Sequence, residues 1–77
     1  MLYKIELRKE IAARLTQARK QAGYHSAEDF CLKNKLLVNH YVACEKGEVA
    51  IKLSQALTYA ALCHVSVRWL LLGDKEK

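Results

Sequence analysis

The chain has 77 residues, of which 52% are hydrophobic and 27% are charged. This length suits one domain with a small core, so residues 1–77 are expected to form a single domain. Five charges lie within the first ten residues, and no run of 18 uncharged apolar residues occurs, so neither a signal peptide nor a membrane span is expected. The size and composition favour a cytoplasmic binding module over an enzyme with a large cofactor.

The charge balance is basic. Thirteen Lys and Arg residues against eight Asp and Glu residues leave a formal net charge of +5. Residues 1–35 carry eight of the basic and four of the acidic side chains, so most of the excess lies in the first half of the chain. A basic domain suits a polyanion such as nucleic acid, although a solvated basic face without a partner is the other interpretation.

The cysteines Cys31, Cys44 and Cys63 are an odd number and form no C-x-x-C pair. This pattern predicts free thiols among apolar neighbours rather than a disulfide framework. His40 and Cys44 lie four residues apart and therefore share a helix face, but no second close pair of ligands accompanies them. We therefore expect no metal and no other cofactor.

Apolar residues recur every three or four positions along the whole chain, and the chain has no proline, which predicts an all-α fold. The first helix is expected over about 4–22, with an apolar stripe at Leu7, Ile11, Leu15, Ala18 and Ala22. A second, short helix is expected after Ser26 as N-cap, with Glu28 and Asp29 in its first turn, and it should bury Ala27 or Phe30, Cys31 and perhaps Asn34.

A tight turn over 34–37 separates this helix from a third, predicted over about 38–46 and ended by Gly47. After a loop over 48–51, a fourth helix is expected near 52–63 with Leu53, Leu57 and Ala60 on one face. Ser66 is the predicted N-cap of a fifth, short helix, which holds Val67, Leu70 and Leu71 and ends at Gly73. A short tail, 74–77, follows it.

Residues 26–46 thus form two short helices joined by a tight turn, the arrangement of a helix-turn-helix. Four segments resemble, in order and at the right separations, those of the phage-repressor-type family (Xre-like, lambda-repressor-like), and the resemblance covers about residues 6–74. The segments are Arg14-Leu15-x-x-Ala18-Arg19-x-x-x-Gly23, Ser26-Ala27-Glu28-Asp29-Phe30-Cys31, Tyr41-x-x-Cys44-Glu45-Lys46-Gly47, and Tyr59-Ala60 followed by Val65-Ser66-Val67-x-Trp69-Leu70-Leu71-x-Gly73.

The resemblance implies a compact five-helix domain from a prokaryote or phage, acting as a small transcriptional regulator, most often a repressor. Such a domain binds double-stranded DNA as a homodimer on a pseudo-palindromic operator, with the recognition helix, here about 38–46, in the major groove. The expected base-reading residues are those on the outer face of that helix, namely Val38, Asn39, His40, Val42 and Ala43.

Further site residues follow from the same resemblance. The expected contacts with the DNA backbone are at Ala27, Lys35, Lys46 and Gly47. Arg19 and Glu45 are expected to form a largely buried ion pair. The expected dimer contact is made by Val67, Trp69 and Leu72.

The sequence departs from the family at several of these positions. Ala27 stands where relatives usually have a polar residue, and Glu48 stands where they often have Lys or Arg. On the recognition helix, only Asn39 and His40 keep hydrogen-bonding side chains. Asn39 can make a bidentate contact with adenine, and His40 can contact a phosphate or a purine N7. The apolar side chains can contact only the methyl group of thymine. The alternative is that Val38 and Val42 belong to the core, or that this surface no longer binds DNA.

Two other functions fit the same fold. One is an antitoxin that neutralises a toxin and represses its own promoter, and the other is a protein-interaction module that has lost DNA binding. No nucleophile–base pair, glycine-rich phosphate loop or acidic pair occurs in the sequence, so no enzymatic activity is expected. A membrane partner is not expected either.

Overall fold

The computed structural model describes the backbone of residues 5–73 and the side chains of residues 8–73. The fold is all-α, as predicted, and the described residues contain no β-strand. The predicted contact of the Leu7 side chain and the tail 74–77 lie outside the described residues. The described part of the chain forms α1 (Ile5–Gln21), α2 (Ala27–Asn34), α3 (Val38–Glu45), α4 (Leu53–Cys63) and α5 (Val67–Leu72).

Both predicted serine N-caps are confirmed. The Ser26 hydroxyl accepts a hydrogen bond of 2.9 Å from the backbone N–H of Asp29, and the Ser66 hydroxyl accepts one of 2.9 Å from that of Trp69. These bonds satisfy helical N–H groups that have no partner within their own helix. The positions of α2 and α5 along the chain therefore follow from local sequence.

Two helices end in the left-handed conformation at a residue other than glycine. Lys35 follows α2 with φ 58°, and His64 follows α4 with φ 60°. The Cβ atom makes this conformation unfavourable by about 1–2 kcal/mol, whereas glycine adopts it freely. Neither position carries a glycine, so neither left-handed helix end was predicted from the sequence.

The core is built around α1, which contacts each of the other four helices. A chain of four aromatic rings crosses the core. It begins in the segment before α2 and ends on α4. The ring centroids are 5.0 Å apart for Tyr24 and Phe30, 4.9 Å for Phe30 and Tyr41, and 5.1 Å for Tyr41 and Tyr59. Aromatic pairs at such distances contribute about 0.5–1.5 kcal/mol each beyond the burial of their surface. The chain of rings therefore ties α2, α3 and α4 to one another.

The buried faces of the short helices agree only in part with the prediction. On α2, Phe30 and Cys31 are buried as expected, Ala27 is half-buried, and the Asn34 side chain donates a 2.8 Å hydrogen bond to the carbonyl of Phe30. On α4, the predicted face is right at Ala60 and wrong at Leu53 and Leu57. The buried residues are Ala56, Tyr59, Ala60 and Cys63, and both Leu53 and Leu57 are exposed.

The fifth helix is joined to the first by Arg14. Its guanidinium donates hydrogen bonds of 2.8 Å and 3.1 Å to the carbonyls of Leu70 and Leu71. These carbonyls lie in the last turn of α5 and have no partner within that helix. Arg14 is therefore a structural residue rather than part of a free basic surface. Among the described residues, no helix is both long enough and apolar enough to cross a membrane.

Candidate nucleic-acid interface

The second and third helices form a compact unit. Each has eight residues, and three residues, 35–37, join them. The turn is closed by a 2.8 Å hydrogen bond from the Leu36 N–H to the carbonyl of Cys31, and the rings of Phe30 and Tyr41 hold the helices together. The unit thus has the short connection expected at residues 26–46.

The C-terminal end of α3 is joined to α1 by an ion pair. The Arg19 Nε lies 2.8 Å from Glu45 Oε2, and the Arg19 Nη2 lies 3.3 Å from Glu45 Oε1, so the contact is bidentate. The two side chains are 6% and 10% exposed. The remaining Arg19 nitrogen donates a 2.9 Å hydrogen bond to the carbonyl of Tyr24. The arrangement is the largely buried pair that the resemblance implies.

The ionisation of the groups in and around this pair depends on their burial and on the two opposite charges. Burial opposes ionisation of Arg19, but the hydrogen bond and charge of Glu45 outweigh it, so the pKa of Arg19 is raised and the side chain stays charged. Tyr41 is fully buried nearby. Burial and then the Glu45 carboxylate raise the pKa of its hydroxyl far above the ordinary value, so it stays neutral. The pair orients α3 within a low-dielectric environment.

The expected base-reading side chains are spread along α3, from Val38 to Ala43. Asn39 is exposed, and its side chain makes no hydrogen bond with any described residue. Val38, Val42 and Ala43 are all partly buried, and Val38 also packs against the core. Asn39 is thus the freest hydrogen-bonding group among the expected readers.

His40 differs from Asn39, because it is attached to α4. Its Nε2 atom lies 2.6 Å from the Gln55 Nε2 and 3.7 Å from the Cys44 sulfur. The ring lines one side of an open cavity of about 320 Å³, together with Lys35, Leu36, Leu37, Ser54, Gln55, Thr58 and Tyr59. Sequence reasoning did not find this contact, since Gln55 is 15 positions further along the chain.

The expected backbone contacts fall into two groups. Lys35 and Lys46 are exposed at the C-terminal ends of α2 and α3, where their ammonium groups are accessible to phosphates. Ala27 presents only a methyl group, which packs partly against the core. Its side chain therefore has no polar group for a phosphate.

Gly47 does not fit the expected role either. It is buried, and its N–H donates a 3.1 Å hydrogen bond to the carbonyl of Cys44, while the N–H of Glu48 donates a 3.0 Å hydrogen bond to Ala43. Both amides are therefore used to end α3. A Cβ added at Gly47 would make only ordinary van der Waals contact, 3.4 Å from the Lys9 Cγ, so glycine is favoured here by its φ of 73° rather than by lack of space.

Two basic residues that the sequence analysis did not assign lie beside this turn. Lys9 is exposed and packs with its Cγ against Gly47, the residue after Lys46. The Arg8 Nη1 lies 3.5 Å from the carbonyl of Glu48, and the Arg8 Nε is buried without a hydrogen-bond partner. The signal in the sequence was the Arg8-Lys9 pair itself, but 37 positions separate Lys9 from Lys46, so no local pattern joins them.

The residues expected at a dimer contact differ in their exposure. Trp69 is only 6% exposed and lies in the core of its own chain, which leaves almost none of its surface for a second copy. Val67 is partly buried as well. Leu72 is 66% exposed, so any contact at this end of the molecule would depend mainly on Leu72.

The described residues contain no group of three or more His, Cys, Asp or Glu side chains arranged to hold a metal ion. The three thiols are free and buried, and burial raises the pKa of each. Comparison of the chain with models of known protein families, with curated proteins and with solved structures finds no match.

Proposed function

We propose that this chain is a small sequence-specific DNA-binding protein, a transcriptional regulator that inserts α3 into the major groove. The observation that carries the proposal is the unpartnered, exposed Asn39 on a short helix whose far end is held by the buried pair of Arg19 and Glu45. An amide near the start of a recognition helix is suited to the N6 and N7 atoms of adenine.

The distribution of positive charge supports the proposal. Lys35 lies on one side of the exposed face of α3, and Lys46 and Lys9 lie at its other end. Lysines at both ends of a recognition helix can contact phosphates on the two sides of the groove and release condensed counterions. The carboxylate of Glu48 reduces the attraction at the second of these ends.

The resemblance to phage-repressor-type domains supports the details of the proposal. It suggests a repressor that works in the cytoplasm of a prokaryotic cell and binds a pseudo-palindromic operator as a homodimer. The half-sites would then be separated by one helical turn, about 34 Å. An exposed Leu72 on α5 is consistent with a contact between two copies at this end.

The decisive experiment is selection from randomised DNA duplexes with the purified chain, followed by measurement of Asn39→Ala on the selected site. Loss of a bidentate adenine contact should weaken binding by about 1–3 kcal/mol and relax the preference at one base pair. Gln17→Ala, at an exposed position of α1, is the control and should leave binding unchanged. Equal loss on all sequences would instead assign Asn39 to the DNA backbone.

The lysines give a separate test of how the α2–α3 unit would lie on DNA. Lys46→Ala or Lys35→Ala should weaken binding to selected and random duplexes alike and reduce the salt slope by about one unit. Arg68→Ala removes the same charge from α5, outside the α2–α3 unit, and should have a smaller effect. Loss of binding to the selected site alone would contradict a contact with phosphate.

A second candidate is a protein-interaction module, favoured by the apolar surface of the α2–α3 unit. Leu37, immediately before α3, is 80% exposed, and Leu32 on α2 is also exposed. An apolar surface of this kind suits a protein partner better than a phosphate backbone. Failure of the wild-type chain to bind random duplex DNA at low salt would favour this function over DNA binding.

A further inference from the structure

A short chain of hydrogen bonds connects the start of α4 to the ring of His40. The backbone N–H of Lys52 donates a 2.9 Å hydrogen bond to the Gln55 Oε1. The other end of the same amide, the Gln55 Nε2, lies 2.6 Å from the His40 Nε2. Gln55 therefore touches a backbone donor with its oxygen and an imidazole nitrogen with its NH₂ group.

The backbone donor determines which way the Gln55 amide faces. A backbone N–H can only donate, so the group opposite the Lys52 N–H must be the carbonyl oxygen. The NH₂ group must then face His40, and it can only donate. At 2.6 Å a second hydrogen on the His40 Nε2 would put two donors against each other, so the Nε2 atom must be the acceptor.

The remaining ring nitrogen then carries the proton, since a neutral imidazole has one donor and one acceptor nitrogen. The Nδ1 of His40 makes no hydrogen bond with any residue in the described part of the chain. It belongs to a half-exposed side chain on the residue next to Asn39, the proposed base reader. The Nδ1–H group is thus available to an external acceptor.

We propose that Gln55 is a positioning residue, which holds His40 in the Nδ1–H tautomer so that α3 presents a hydrogen-bond donor beside Asn39. This inference rests on the proposed DNA-binding function. The partner atom on DNA is an acceptor, either a base edge such as a purine N7 or a phosphate oxygen. A ring in the other tautomer would present a lone pair at Nδ1 and could not make this bond.

The tautomer can be measured without DNA. Long-range ¹H–¹⁵N correlation spectra of the free chain, recorded at a pH where the imidazoles are neutral, distinguish the protonated from the unprotonated ring nitrogen. We expect His40 to be protonated at Nδ1, while the exposed His25 and His64 show the mixture of a solvated imidazole and serve as internal references. A His40 spectrum like theirs, or one with the proton on Nε2, would overturn the inference.

A nearly isosteric substitution reverses the hydrogen-bond pattern. In Gln55→Glu one carboxylate oxygen still accepts from the Lys52 N–H, but the other now accepts from His40, which must carry a proton at Nε2. We expect the spectrum of His40 to change accordingly, with little change in the helical fold. Gln55→Met, which makes neither bond, should release the ring to the mixture seen for His25 and His64. An unchanged His40 spectrum in both variants would show that Gln55 does not control the tautomer.

A DNA-binding measurement compares Gln55→Glu with a control variant, Gln17→Glu. The control adds the same charge at an exposed position of α1. At a pH where the spectrum shows the His40 of Gln55→Glu protonated on Nε2 alone, loss of one hydrogen bond should make this variant bind the selected site about three- to tenfold more weakly than the control. Loss concentrated at one base pair indicates a base acceptor, and uniform loss indicates a phosphate. Equal binding by the two variants would overturn the assignment of the Nδ1–H donor to DNA.

The spectroscopic and DNA-binding measurements together distinguish failure of this inference from failure of the proposed function. If the wild-type chain binds no DNA, the proposed function and the assigned partner of the Nδ1–H group both fail, whatever the tautomer is. If it binds DNA but His40 is not held as the Nδ1–H tautomer, the function stands and only the role of Gln55 is wrong.

Discussion

The third and fourth helices are neighbours that are held in different ways. They share one aromatic contact, between Tyr41 and Tyr59. In addition to burying Tyr41 and Cys44, α3 makes directional polar contacts, through Glu45 to α1 at its C-terminal end and through His40 to α4 nearer its start. The 11 residues of α4 include no charged side chain, and its buried face is largely made of small residues. The orientation of α3 thus depends on polar contacts as well as on packing, whereas that of α4 depends mainly on close packing.

The largest expected effect concerns the polar contact at the end of α3. Arg19→Met should lower the free energy of unfolding by about 3–5 kcal/mol, because it leaves the Glu45 carboxylate buried and unpaired. Chemical denaturation of the variant and the parent measures this difference. A variant as stable as the parent would show that the two side chains are solvated.

The double variant Arg19→Met with Glu45→Leu is the control for this test. With both charges removed, apolar packing should restore much of the stability, since a buried ion pair need not exceed its apolar replacement. The double variant should nevertheless bind DNA less well than the parent, because α3 has lost the contact that orients it. Full recovery of both properties would leave the ion pair without an orienting role.

The packing of α4 is tested by adding volume to its buried face. Ala56 has no exposed surface, so Ala56→Leu should destabilise the fold by about 1–3 kcal/mol through overpacking. Leu57→Ser, on the exposed face one position later, should change stability by no more than about 0.5 kcal/mol. Thermal unfolding of the two variants compares the faces directly. Equal losses would contradict the observed orientation of α4.

The stability of the fold should also fall in alkaline solution. Burial, and then the charge of Glu45, raise the pKa of Cys63 from 9.0 to about 11. Below pH 9 the thiol is protonated in both states. Between pH 9 and 11 the unfolded chain loses this proton and the folded chain keeps it, so stability falls with pH, by a total on the order of 2 kcal/mol.

The matched measurement is the pH dependence of the free energy of unfolding for the parent and for Cys63→Ala. The variant should be less stable at neutral pH but should show a shallower decline above pH 9. Some decline should remain, because burial also raises the pKa values of Cys31 and Cys44. Parallel curves for the two proteins would rule out the contribution of Cys63.

The smallest effect concerns the two left-handed helix ends. Lys35→Gly and His64→Gly should each stabilise the fold by about 1 kcal/mol or less, because glycine adopts the observed φ without strain but is more flexible when unfolded. The two should differ in DNA binding: loss of the Lys35 charge should weaken it, and loss of His64 should not. Equal effects on binding would mean that Lys35 contacts no phosphate.

The fold was largely predictable from local patterns. The spacing of apolar residues predicted five helices, and Ser26 and Ser66 marked the starts of α2 and α5. These features depend on residues within one or two turns of each other, so they can be read along the chain. The ion pair of Arg19 and Glu45 followed only from the resemblance of the motifs that contain them.

The buried face of α4 could not be predicted in the same way. Apolar residues occur on all sides of this helix, so the stripe through Leu53 and Leu57 fits a helical period as well as the stripe through Ala56 and Tyr59. Only the neighbours decide between them. Small side chains at Ala56 and Ala60 let α4 approach the core closely, and two leucines at those positions would not fit.

By itself, then, the sequence determined where the helices begin and end and that α2 and α3 are joined by a tight turn. The tertiary structure decided that Gly47 packs against Lys9 rather than offering a free amide, that Trp69 is buried, and that His40 is bonded to Gln55. The reason is physical. Caps and periodicity arise between near neighbours in the chain, whereas burial and side-chain hydrogen bonds arise between helices whose relative positions no local pattern specifies.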